Sequence, residues 1–144
     1  MTAAALVASL GLYLGAIQAE AVRAGVDADL LAVICHFETR GEAVKHRAVG
    51  ADGERGVCQV KPATAVEMGV AGNLGAPDQR ANARAGARWL AHCVARGATA
   101  LREMAHCYNA GLIGAGKTPY AQRVADAVTA LRMEAAMRNQ VAAR

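Results

Sequence analysis

Helix-stop glycines and helix-start caps alternate along this chain, and that punctuation restricts its fold more than any other feature. Tyr13 to Ala24 reads as a helix stopped by Gly25. Asp27 then offers a side-chain oxygen to cap a second helix running to about Arg40, ended by Gly41. Pro62 suits the first turn of a short helix through Met68, and another helix spans about Asp78 to Arg96 before Gly97. Thr99 stands where it would cap a helix through Tyr108. The clearest start comes last: Thr118 as cap, Pro119 at the first helical position, then Tyr120, Val124, Val128 and Leu131 along one face. Fraying is expected from about Met137.

Apolar residues make up 54% of the chain, but much of that is alanine. Val, Thr and aromatic residues never gather into the alternating runs that mark strands. The expected fold is therefore mainly α. A length of 144 residues suits a single domain over 1–144 with its core between about 13 and 136. Gly50, Gly53 and Gly56 punctuate the least regular stretch, so any small irregular β-hairpin belongs near residues 45–60.

A formal charge of +4 is spread without a long basic run, which suits an acidic polymer such as cell wall. Nucleic acid is disfavoured, because one Trp, three Tyr and one Phe provide no stacking surface interleaved with basic residues. The first nineteen residues carry no charge, and the first Arg is Arg23, so the basic n-region of a signal peptide is missing. Gly11, Gly15 and Gln18 interrupt the apolar stretch, and no stable membrane insertion is expected. Cys35, Cys58, Cys93 and Cys107 allow three disulfide connectivities. The expectation is four buried, reduced thiols, since a domain of this size needs no staple.

Leu31, Ile34, Cys35 and Glu38 share one face of the second helix, at spacings of three, four and seven. A carboxyl group thus continues an apolar stripe. Desolvation there disfavours the charged form and raises the pKa, which suits a general acid that protonates a departing oxygen.

The order of segments around Glu38 resembles the soluble lytic transglycosylases of the goose-lysozyme-like superfamily. Val33 to Thr39 is similar to that family's helix ending in a catalytic Glu followed by Ser. Gly56-Val57-Cys58-Gln59 followed by Pro62-Ala63-Thr64-Ala65 is similar to its Gly-Leu-Met-Gln and Pro-Ala-Thr-Ala block. Asn82, Gly86 and Trp89-Leu90 match its Asn, Gly, Tyr-Leu helix, Tyr108-Asn109-Ala110-Gly111 repeats its Tyr-Asn-Ala-Gly signature, and Tyr120 fits the closing Tyr. The resemblance implies a single lysozyme-like domain that cleaves the β-1,4 bond between N-acetylmuramic acid and N-acetylglucosamine and leaves a 1,6-anhydromuramoyl end. It implies Glu38 as catalytic acid and then base, Thr39, Gln59, Tyr108, Asn109 and Tyr120 as substrate-side residues, and peptidoglycan glycan strands as partner. No metal or organic cofactor is implied. The chain would act in the periplasm or cell wall, phage-encoded or delivered without an obvious signal peptide. Oligomeric state is not readable from the sequence.

Thr39 replaces the family's usual Ser, and its methyl group is expected to narrow the cleft. Asp52 and Glu54 lie in the glycine-punctuated loop with nothing in the sequence to fix them. A positioned second carboxylate there would turn the chemistry towards hydrolysis, as in a goose-type lysozyme. Gly111 to Thr118 spells a Walker A phosphate loop, but a helix precedes it and Pro119 removes an amide behind it, so nucleotide binding is not expected. Cys35-His36, His92-Cys93 and His106-Cys107 are neighbours about 100° apart on a helix, which does not favour chelation. A wall-binding protein without turnover is the remaining alternative class.

Overall fold

The computed structural model describes residues 1–144. Seven α-helices follow in order: α1 (Ala3–Leu10), α2 (Tyr13–Ala24), α3 (Ala28–Glu38), α4 (Pro62–Glu67), α5 (Arg80–Ala95), α6 (Leu101–Ala110) and α7 (Pro119–Ala142). One 3-10 turn, Lys45–Arg47, lies in the long connection between α3 and α4.

α3 is the central helix and packs against α1, α2, α5, α6 and α7. Leu30, Leu31, Val33, Ile34 and Cys35 are all fully buried, so this helix is apolar on nearly every side. Truncating one of these leucines to alanine would cost about 2–5 kcal/mol. The caps at its start and in α7 are those read from the sequence. Asp27 Oδ1 accepts from Leu30 N at 2.9 Å, and Thr118 Oγ1 accepts from Ala121 N at 3.2 Å.

Several expectations need correction. Ala3–Leu10 is a helix of its own, and Leu6 and Leu10 enter the core, which therefore begins well before residue 13. α1 and α2 are bent 106° apart at Gly11 and Leu12, and no single helix is long and apolar enough to cross a membrane. Thr99 does not cap α6 through its own oxygen; Glu103 Oε2 reaches back to the Thr99 and Ala100 N–H groups at 2.9 and 3.2 Å. α7 continues as a helix to Ala142 instead of fraying, and Glu134 pairs with Arg138 across its last turns. Where a hairpin was expected, only isolated antiparallel bridges occur, Val49 with Arg55 and Arg55 with Val60.

The cysteines are not free thiols. Cys35 pairs with Cys58 and Cys93 with Cys107. The first disulfide ties α3 to the loop before α4, and the second ties α5 to α6. Pairing depends on tertiary proximity that the sequence does not display: the packed fold brings the Cα atoms to 4.2 Å in the first pair and 5.9 Å in the second.

Candidate active site

Glu38 is the last residue of α3, where the buried stripe of Leu31, Ile34 and Cys35 runs out into a cleft. The cleft has a volume of about 200 Å³. Glu38, Glu54, Gln59, Thr64, Trp89 and Asn109 are among its walls. They come from α3, the connecting loop, α4, α5 and α6, so the tertiary fold assembles it.

Burial pushes the Glu38 carboxyl group above its ordinary pKa. The Tyr120 hydroxyl and the Asn109 side chain draw it part of the way back, and the negative charge of Glu54 pushes it up again. Tyr120 Oη donates to Glu38 Oε1 at 2.6 Å. Tyr120 is the second residue of α7, held there by the Thr118 cap and Pro119. Its own pKa is pushed well above the phenol range, first by burial and then by the Glu38 charge, so it remains a donor. The arrangement favours the protonated carboxyl group more than water would, lets its proton pass into the cleft, and stabilises the carboxylate left behind.

Gln59 is the only non-glycine residue with a positive φ, 47°. Holding an ordinary side chain there costs about 1–3 kcal/mol and requires a firm surround. Its Nε2 donates to Gly56 O at 2.8 Å and Ala48 O at 3.2 Å. With both bonds made by nitrogen, Oε1 is the atom left for a ligand. Two buried amides, neither proposed from sequence as site residues, hold the backbone just before it. Gln79 Oε1 accepts from Val57 N at 2.7 Å, and Asn82 Oδ1 accepts from Cys58 N at 2.8 Å. At Gly56, with φ 73°, an added Cβ would fall 2.3 Å from Asn82 Nδ2, so only glycine permits this approach.

Tyr108 lines the cleft with its ring but is only 7% exposed, and its hydroxyl donates to Cys58 O at 2.8 Å. Asn109, by contrast, is exposed at the cleft. Thr39 is not brought to the cleft. It is 1% exposed, and its hydroxyl donates to Cys35 O at 3.0 Å, so its methyl group narrows nothing. Lys61, Thr64 and Trp89 were not singled out as site residues, yet all line the cleft. Trp89 Nε1 donates to Tyr108 O at 3.1 Å, which fixes one wall against another.

The loop acids separate. Asp52 is exposed and faces Lys61 at 3.8 Å, whereas Glu54 is part of the cleft wall and its Oε2 accepts from Asp52 N at 3.0 Å. The expectation that nothing fixes either acid therefore fails for Glu54. A larger open groove of about 1260 Å³ lies beside α2 and the start of α5 and does not include Glu38. Among its charged groups, Glu20 pairs with both Arg23 and Arg84.

Each cysteine of the His-Cys neighbour pairs is held in a disulfide. Two of their histidines are occupied elsewhere: His36 Nδ1 shares a hydrogen bond with Ser9 Oγ at 2.6 Å, and His92 stacks on Trp89. The Walker-like segment follows α6 directly and leads into Pro119, with Lys117 exposed.

The sequence model of one family, described as Transglycosylase SLT domain, matches residues 15–126. That stretch runs from α2 into α7 and holds every wall of the cleft. No curated protein matches the chain.

Proposed function

This chain belongs to the Transglycosylase SLT domain family, glycan-cleaving enzymes that act on peptidoglycan, and from that premise we propose that Glu38 is its catalytic acid and base. The reaction is cleavage of the β-1,4 bond between N-acetylmuramic acid and N-acetylglucosamine. Protonated Glu38 gives its proton to the bridging oxygen as the bond to the muramic C1 breaks. The carboxylate then takes the proton of the muramic 6-hydroxyl while that oxygen bonds to C1, closing a 1,6-anhydro ring and restoring the acid. A nucleophile already held on the sugar replaces a captured water, and proximity supplies its advantage.

The single observation that carries this reading is the cleft carboxyl group of Glu38, raised in pKa by burial and held by Tyr120 at 2.6 Å. Gln59 through Oε1, and Asn109 near the end of α6, bind the sugars or their acetamido groups. Tyr108 supplies an apolar wall, Tyr120 orients the acid, and Thr39 secures the helix end behind it. The disulfides suit an oxidising compartment such as the periplasm or cell surface.

One observation favours a second reading, hydrolysis in the manner of a goose-type lysozyme: Glu54 shares the cleft with Glu38. A carboxylate there is where a water-activating base would stand. Mass spectrometry of the products from purified peptidoglycan separates the two, since the proposal requires anhydromuropeptides. Glu38→Gln keeps the shape but cannot deliver the proton, and its activity should fall by about 10²–10⁴-fold. A folded Glu38→Gln protein with near-normal activity would refute the assignment.

A further inference from the structure

Lys45 is a lysine where the fold has least reason to keep one. It is 8% exposed, forms no ion pair, and donates from Nζ to Thr39 O at 2.8 Å. Burial lowers its pKa, offset in part by the charge of Glu42. A buried ammonium is costly, and an apolar side chain of the same length would often serve stability equally well. Its position accounts for the cost. α3 ends at Glu38 without a left-handed glycine at its cap, and Thr39 closes it with φ −121°. Thr39 O accepts from Glu42 N at 3.1 Å as well as from Lys45 Nζ. A cation at this end also complements the helix dipole.

The same turn grips the other side of the cleft. Lys45 O accepts from Ala48 N at 3.1 Å. Ala48 O in turn accepts from Gly56 N at 3.0 Å and from Gln59 Nε2 at 3.2 Å. One short turn therefore fastens the residue after Glu38 through its side chain and the Gln59 loop through its backbone.

We propose that Lys45 is a positioning residue for peptidoglycan cleavage, fixing the last turn of the Glu38 helix relative to the Gln59 loop. The proposal rests on Glu38 being the catalytic group. In this role Lys45 acts through Thr39 and Ala48. Displacing a reacting group by about 1 Å can cost about 10²-fold in rate.

The test compares Lys45→Met and Lys45→Arg with the wild-type chain on purified peptidoglycan, recording kcat, KM and Tm, with Glu38→Gln alongside. Lys45→Met should melt within a few degrees of wild type and lose about 10- to 100-fold in kcat with KM changed less than about twofold. Lys45→Arg, which keeps a cation and a donor, should recover most of that loss. A folded Lys45→Met protein with wild-type kcat overturns the proposal, and an inactive Glu38→Gln in the same series shows that the reading of Glu38 survives it. Should Lys45→Met fail to fold, Lys45→Gln decides: an intermediate kcat at unchanged KM supports positioning. Wild-type kcat, or unfolding of this variant too, reduces Lys45 to a structural role and overturns it.

Discussion

Tyr120 and Glu38 stand 82 positions apart in the chain, yet the Tyr120 hydroxyl donates to the Glu38 carboxyl at 2.6 Å. The bond opposes the burial that raises the acid, because a donor favours the charged form. Its strength therefore bears on how readily Glu38 ionises after giving up its proton. Tyr120→Phe removes only the hydroxyl. The Glu38 pKa should rise further, so the alkaline limb of the pH–rate profile moves to higher pH. A charge-assisted hydrogen bond contributes about 1.5–3 kcal/mol, and kcat should fall at least about tenfold. An unchanged pH profile would mean that Tyr120 does not govern this ionisation.

The raised pKa of Glu38 also has a cost in stability. The folded state holds its proton more tightly than the unfolded chain, so stability falls as pH rises through the ordinary carboxyl pKa towards the folded value. Above both values the wild type carries the full penalty of a desolvated carboxylate. Glu38→Gln carries none. The variant should therefore melt at or above the wild-type temperature at neutral pH, and the gap should vanish below about pH 4, where both forms are neutral. Thermal melts across that range would expose a wrong sign directly.

Much of this site was legible before the structure, because its signals are local. The stripe of Leu31, Ile34 and Cys35 leading to Glu38, the Asp27 and Thr118 caps, and Pro119 each act through neighbours within a turn or two. The segment order around them carried the resemblance that the family match makes firm. What stayed hidden depends on contacts between distant segments. Gln79 and Asn82 become cleft supports only when α5 meets the loop at Val57 and Cys58. The disulfides form because the packed fold brings α3 to that loop and α5 to α6, which no spacing rule reveals. α1 escaped notice because Ala3–Leu10 has no charged face to set off its buried one.

Reduction should therefore weaken the protein and its cleft together. The disulfides span 23 and 14 positions, and each contributes about 3 kcal/mol by chain-entropy arithmetic. Their effects on activity should differ. Cys35–Cys58 joins the Glu38 helix to the residue before Gln59, whereas Cys93–Cys107 lies behind Trp89. Cys35→Ala with Cys58→Ala should lose more activity per folded molecule than Cys93→Ala with Cys107→Ala. Equal losses, measured at a temperature where both variants are folded, would refute the unequal coupling.

The Walker-like loop should be inert. Lys117 is exposed, and the segment lacks both a preceding strand and the free helix amides that cradle phosphate. Lys117→Ala should change stability by less than about 0.5 kcal/mol and leave wall cleavage intact. ATP with Mg²⁺ should not shift Tm, because a ligand of the native state would raise it in a saturable way.

The loop acids provide the sharpest test of the reaction itself. Asp52 is exposed beside Lys61, so Asp52→Asn should retain most activity. Glu54 is the instructive case, because it lines the cleft and its charge helps raise Glu38. If the muramic 6-hydroxyl is the nucleophile, Glu54 activates no water and Glu54→Gln should still yield anhydromuropeptides. Removing that negative charge should let Glu38 ionise more easily, moving the alkaline limb of activity to lower pH, opposite to Tyr120→Phe. In ¹⁸O-labelled water the anhydro ends should carry no label, since no water enters the bond formed at C1. Labelled reducing ends from the wild type, with activity collapsing in Glu54→Gln, would instead assign Glu54 as the base for water and make the enzyme a hydrolase.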